Sequence, residues 1–464
     1  MGEIIKMAIA FTITFTFLSL FLFLFRKMII KFLVNPMIRI IMEDKYEENL
    51  WEMVSAIRRF DPQKIVEINL RAQSGKVIER PMGSPKKFPN FEPIVFYSAH
   101  LQSYTTSQDL KIDMRVTIGP KAKRPMEVEI PILISAMGYG VALSEKVKIS
   151  LAQAATKVGT AICSGEGAIL PEEMEAANKY IVQYSRAKWG KSKETLRRAD
   201  MIEINLGQGA NGSIGSRITP DLLQGRVREL MDLEPDEDAL IHETFVCNQN
   251  QDYLKKKVKE LKKITGGVPV GAKIMASTKI EQDLAFLIDM DVDYIAIDGC
   301  QGGTKGGPPI MEDDFGIPTL HGLIRAVDYL KQQNMYQKIS IIVSGGLYCP
   351  GDFLKAIALG ADAVYIGTPM LFAISHTEVL KSIPWEPPTG VVYYNGKKAK
   401  KFNIEKGAHY ATNFLKSCTC EMEVAVRALG KVSISQVNRE DMASYDKEMA
   451  ELLRIPYTGN PFPR

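Results

Sequence analysis

Five times along this chain a short, almost continuous apolar run ends in a glycine-rich turn. The segments are Pro131-Ile-Leu-Ile-Ser-Ala-Met-Gly138, Ile202-Glu-Ile-Asn-Leu-Gly-Gln-Gly209, Tyr294-Ile-Ala-Ile-Asp-Gly-Cys-Gln-Gly-Gly-Thr304, Ile339-Ser-Ile-Ile-Val-Ser-Gly-Gly-Leu347 and Ala363-Val-Tyr-Ile-Gly-Thr368. Such runs predict parallel strands buried on both faces, and the glycines predict loops where the backbone approaches something closely. With the weaker runs included, eight strands are predicted, over 130–136, 160–164, 201–206, 239–243, 268–275, 292–298, 340–345 and 363–367. Helical periodicity lies between them, at 144–158, 252–263, 278–290, 319–332 and 350–359. Eight strands interleaved with helices predict an α/β fold, a (β/α)8 TIM barrel with its active site at the C-terminal strand ends.

The flanks read differently. Residues 8–25 are all apolar or Thr and Ser, and Arg26, Lys27 and Lys31 follow. That length suits a helix crossing a hydrocarbon core, so residues 1–31 are expected to form a transmembrane anchor. A cleaved signal peptide would instead carry a basic leader, a shorter run and small residues at its end. The basic cluster lies after the run, which places the catalytic body in the cytoplasm. Residues 32–114 read as a juxtamembrane helical region, with an exposed helix over 44–59 and a Pro-, Gly-, Ser- and Lys-rich linker over 75–90. The barrel is assigned to 115–382, and 383–464 to a C-terminal loop and helical extension whose main helix, 408–429, stops at Gly430.

Composition narrows the function. Hydrophobic residues make up 46% and charged residues 24% of the 464, the balance of a globular protein. The 58 basic and 54 acidic residues leave a net charge of only +4, which gives no footing for nucleic acid. Six scattered cysteines suit reduced thiols rather than a disulfide framework. The five histidines show no metal-ligand spacing, so no metal site is expected.

Barrels commonly hold a phosphate between the loops after strands seven and eight. Here those loops offer Ser344, Gly345 and Gly346, then Gly367 and Thr368. Glycine permits close approach, and the Ser and Thr hydroxyls are expected to donate to phosphate oxygens.

Further segments carry a resemblance: Arg115-Val-Thr-Ile-Gly-Pro-Lys, Gly159-Thr-Ala-Ile-Cys-Ser-Gly-Glu-Gly167, Leu170-Pro-Glu-Glu173, Tyr180-Ile-Val-Gln-Tyr184 and Pro269-Val-Gly-Ala-Lys273. With the runs quoted above, the chain from 115 to 368 resembles the FMN-binding synthase domain of glutamate synthase. The resemblance implies bound FMN, with Ser135, Ala136, Met137 and Gly138 against the flavin ring and Ser164 and Gln208 at its polar edge. It places Lys273 near N1 and O2, where a fixed cation stabilises the charge of reduced flavin.

Departures bear on the substrate. The glutamate synthases carry Lys where this chain has Asn205 and Asn211, and His-Asp where it has Cys300-Gln301. The next triplet is Lys305-Gly306-Gly307, which restores one cation. The substrate side is therefore expected to comprise Asn205, Gln208, Gln301, Gly302, Gly303, Thr304 and Lys305. Glu166, between two glycines at the barrel mouth, is the candidate acid or base, and Lys273 acts beside it. Cys300 sits where inosinate dehydrogenase-like barrels place a nucleophilic thiol, and is the third catalytic candidate.

The amidotransferase cysteine near the N-terminus and the cysteine run after the eighth strand are both lacking. The expectation is therefore a protein without its own glutaminase or iron–sulfur cluster. An unidentified electron donor or acceptor must serve it. Three readings follow: a membrane-anchored FMN oxidoreductase acting on an amino acid, imine or 2-oxo acid as its small-molecule substrate; a hydroxyacid oxidase-like enzyme or flavin isomerase, for which His242 is the base on offer; or a non-catalytic flavin electron-transfer subunit.

Overall fold

The computed structural model describes residues 2–45, 49, 51–101, 103–243, 245, 251–381 and 388–461. The chain divides into two compact units, Met1–Ile78 and Glu79–Arg464. The first contains the helices Gly2–Glu43, Trp51–Arg59 and Pro62–Ser74. Within the first helix, Ile9–Glu43 is long and apolar enough to cross a membrane, with mean hydropathy 2.0 in its best window. It runs past the basic cluster and through Pro36, well beyond the apolar run read from the sequence.

In the second unit eight parallel strands close into a barrel. They are β1 (Ile132–Ile134), β2 (Ile162–Cys163), β3 (Tyr180–Tyr184), β4 (Met201–Asn205), β5 (Val270–Met275), β6 (Tyr294–Asp298), β7 (Ser340–Ser344) and β8 (Ala363–Ile366). One expected strand is wrong. Ala239–Ile241 is not in the barrel but pairs antiparallel with Ser216–Ile218, and Tyr180–Tyr184 takes the place in the ring. The physical difference is burial: Tyr180–Tyr184 is buried at every position, whereas Ala239–Ile241 has an intermediate centre. His242 therefore follows a hairpin, not a barrel strand.

Strand alternation separates two environments. On β4, Ile202 and Ile204 pack outward in the layer shared with the helices, while Met201 joins the barrel interior. The same alternation turns Gln183, Glu203, Lys273 and Asp298 inward, and register brings Gln183 beside Glu203 and Lys273 beside Asn205. Below this polar layer, Leu133, Ile181, Tyr294 and Ile342 fill the interior together with Ile118, Met126 and Val128 from the hairpin Val116–Ile118/Met126–Val128. That hairpin sits at the N-terminal strand ends, where Gly119 N–H donates to Ser340 Oγ at 3.1 Å.

The C-terminal helix Ile404–Ala428 packs on Glu145–Val158, Pro350–Ala358 and Thr368–Ser375, so it spans the seam between β8 and β1. It starts four residues before the predicted 408 because Asn403 caps it, accepting from Lys406 N–H at 2.9 Å. Met442–Ser444 then pairs antiparallel with Ile94–Phe96.

Candidate active site

At the C-terminal strand ends lies a cavity of about 340 Å3. It is lined by Ser135, Ala136, Met137 and Gly138 after β1, Glu166 after β2, Gln208 after β4 and Lys273 on β5. Gln301, Gly302, Gly303, Thr304 and Lys305 follow β6; Ser344, Gly345 and Gly346 end β7; Gly367 and Thr368 follow β8. Segments far apart in sequence thus converge on one opening.

Three expected residues do not reach it: Ser164, Asn205 and Cys300 are absent from the lining and almost fully buried. Ser164 Oγ accepts from Gln183 N–H at 2.9 Å and donates to Gly165 O at 3.1 Å, so it ties β2 to β3 instead. Asn205 Oδ1 accepts from Gly207 N–H at 3.1 Å, shaping the turn after β4. Burial pushes the Cys300 thiol up to about 11, the opposite of what a nucleophile needs.

The β7 and β8 loops form one end of the cavity. Gly346 has φ +69°, and a Cβ there would lie 2.7 Å from Gln301 Cβ. Among the described residues no acceptor takes the N–H of Gly345, Gly346 or Leu347. Beside them the helix Thr368–Ser375 opens without a side-chain cap. Together they aim backbone donors and a positive helix end at one spot. The Ser344 hydroxyl is not among these donors, since it donates to Asp298 Oδ1 at 2.6 Å.

Asp298 organises the centre. Its other oxygen accepts from Gly209 N–H at 3.0 Å and lies 3.5 Å from Lys273 Nζ. Burial alone pulls the Lys273 ammonium down, but Asp298 and Glu203 more than offset it, so the group is held raised and charged. Glu203 itself is fully buried, accepting from Gln183 Nε2 at 2.7 Å.

Glu166 lies within the electrostatic reach of Lys273. A Cβ on Gly165 would fall 2.3 Å from Gly138 N, so the loop presses directly on the backbone after β1. Trp189 Nε1 donates to Glu166 O at 2.8 Å and fixes the turn. Among the described residues, Glu166 Oε1 is buried without a hydrogen-bond partner. Burial raises this carboxyl above its usual range, against the pull of Arg186, Lys273 and Asn205. A carboxyl whose proton affinity is raised by burial at a cavity wall, near a fixed cation, is suited to proton transfer.

The family model described as the conserved region in glutamate synthase matches residues 90–432. The chain belongs to the glutamate synthase family. The glutamate synthase large subunit-like protein of Rhizobium meliloti (strain 1021) is 30% identical over 426 residues, covering 86% of this chain and 94% of that protein. The archaeal-type glutamate synthase (NADPH) of Thermotoga neapolitana is 28% identical, covering 83% and 81%. A mutant flavocytochrome b2 with pyruvate bound has a similar fold, with TM-score 0.50 and 18% identity over 82% of this chain and 84% of that one.

This family member also brings residues to the cavity that no motif singled out. Glu79 and Met82 enter from the stretch read as a linker. Arg80 N–H donates to Gly307 O and Met82 N–H to Thr304 O, both at 2.9 Å, so residues 79–82 lie as a strap along the β6 loop. Nothing in the local pattern signals this, because a strap held by backbone bonds needs no periodicity. Asp298 was also missed, although a signal existed: an acid ending an inward-facing alternation points at the barrel mouth.

Proposed function

We propose that this protein is a membrane-anchored FMN-dependent oxidoreductase acting on the CH–NH2 group of an amino acid, or on the matching imine or 2-oxo acid. The observation that carries the reading is the pairing of two ends in one cavity. Unbonded backbone N–H groups of Gly345, Gly346 and Leu347 lie at one end, and Lys273 and Glu166 at the other. A phosphate cradle and a fixed cation in one cavity suit a flavin mononucleotide. When bound, FMN supplies two-electron redox chemistry.

The chain's own residues would do the rest. Gly345, Gly346, Gly367 and Thr368 hold the phosphate, while Ser135 to Gly138 and Gln208 wall the ring. Lys273, kept charged by Asp298, stabilises negative charge developing beside it. Glu166 holds a proton at Oε1 for delivery to the substrate. Gln301 Oε1 accepts from Thr319 N–H at 2.8 Å, which steadies the β6 loop on the substrate side.

Support for the membrane comes from the exposed apolar side chains of the first helix, among them Phe11, Phe17 and Phe32. Arg26, Lys27 and Lys31 favour a cytoplasmic body. Electrons would be exchanged with a separate partner. The test is to purify the detergent-solubilised chain, record its absorbance spectrum, and screen amino acids and 2-oxo acids for anaerobic bleaching. A folded, colourless protein that takes up no added FMN would refute the proposal.

A further inference from the structure

We infer that Lys305 and Glu79 select a substrate bearing one carboxylate and one ammonium group, an α-amino acid with an uncharged side chain, over a dicarboxylate. This rests on the oxidoreductase reading above and narrows its substrate.

Among the described residues, six charged side chains line the cavity: Glu79, Glu166, Arg217, Lys273, Asp298 and Lys305. Two of the three cations are already answered. Lys273 faces Asp298, and Arg217 Nε lies 3.1 Å from Asp238, with its side chain 69% exposed. Lys305 is half-buried and makes no hydrogen bond or ion pair among the described residues. Burial pulls its ammonium down, and only the charge of Glu79 works against that. A partly desolvated cation that lines a cavity and has an opposite charge nearby but none in contact is open to a substrate carboxylate.

A dicarboxylate needs a second such site, and the cavity offers the reverse. Glu79 lies against the next residue of the same loop, since a Cβ on Gly306 would sit 2.8 Å from Glu79 Oε2. Asn211, the nearby polar group on the β4 side, is a neutral amide. The strap backbone beside Glu79 is anchored. Arg80 grips Asp313 through two nitrogens, at 3.1 and 2.9 Å, and its backbone exchanges both hydrogen bonds with Gly307. One positive and one negative group therefore face the same opening. Their complement is a zwitterion, and a second carboxylate would meet Glu79.

The test is calorimetric titration of the full-length, detergent-solubilised holoprotein with glycine, L-alanine, L-valine, L-leucine, L-methionine and 2-oxoglutarate. At least one neutral amino acid should bind more tightly than 2-oxoglutarate. Lys305→Gln should weaken that amino acid about tenfold or more, as loss of a charge-assisted bond does. Glu79→Gln, at an exposed position that folding tolerates, should weaken it about threefold and improve 2-oxoglutarate by a similar factor. The inference is overturned if no amino acid of the panel binds, if 2-oxoglutarate outranks them all, or if Glu79→Gln leaves the ratio of the two affinities unchanged. Flavin content is read separately from the spectrum. A colourless protein that binds amino acids sinks the oxidoreductase reading alone, and a yellow one that prefers 2-oxoglutarate sinks only this one.

Discussion

Lys148 and Glu173 form an ion pair 2.8 Å long with side chains 1% and 0% exposed. The same ammonium donates to Met137 O at 2.6 Å and to Ser164 O at 3.1 Å, and Tyr180 OH donates to Glu173 Oε2 at 3.2 Å. One buried cation thus fastens the loops after β1 and β2, which form a wall of the cavity. Removing Lys148 strips Glu173 and the Met137 and Ser164 carbonyls of their shared partner inside a dry wall. Lys148→Met should cost about 3–5 kcal/mol, and Lys148→Met/Glu173→Leu should recover most of it. Thermal unfolding of the two variants decides; equal Tm losses would show that the pair is not the fastener.

Gly346→Ala tests the phosphate cradle. The new methyl meets Gln301 at 2.7 Å on a backbone with φ +69°, so either the loop shifts or the residue strains. FMN affinity should fall at least about tenfold, or about 1.4 kcal/mol, with little change in the circular dichroism spectrum. Unchanged loading would place the phosphate elsewhere.

Glu166→Gln should keep the flavin and the fold while turnover falls about 100-fold or more. Burial raises the Glu166 carboxyl, and the acting form is the protonated one. Wild-type activity should therefore decline as pH rises through that raised pKa. The pH–rate profile of the Gln variant should lack this limb.

Asp362 sets a pH dependence of stability. Burial raises its carboxyl from 3.8 to about 6, while Oδ2 accepts from Ile341 N–H at 2.7 Å. Between those two values the folded chain holds a proton that the unfolded chain has released, so stability falls as pH rises across the window. The full loss, reached above about pH 6, is on the order of 3 kcal/mol. Asp362→Asn keeps the acceptor for Ile341 and should flatten the slope in denaturant titrations at pH 4 and 7. An identical slope in both proteins would exclude Asp362 as its source.

Much of the barrel was legible because buried parallel strands write continuous apolar runs, and helices between them write a different period. The error at Ala239–Ile241 has a local cause. His242 and Glu243 break the apolar run at once, the mark of a surface hairpin, while Tyr180–Tyr184 follows only the six-residue helix Pro171–Ala176 and lacked a long helical spacer to announce it. At the site, the glycine turns could be read from spacing, and Lys273 followed from the resemblance. The strap from Glu79 to Met82 could not, since its position depends on backbone bonds to Thr304 and Gly307, more than 220 residues away. Nor could Cys300, because spacing places a residue in a loop without saying which way its side chain turns.

The clasp between Ile94–Phe96 and Met442–Ser444 fixes when this protein can finish folding on the ribosome. Ser444 Oγ donates to Pro93 O, a partner made 351 residues earlier. All eight barrel strands are synthesised before the helix Ile404–Ala428 exists to cover the β1–β8 seam. A growing chain must therefore carry a nearly complete barrel with an uncovered seam until that helix has been made. A ribosome stalled in that interval would expose a nascent chain with an open joint, the form most in need of a chaperone.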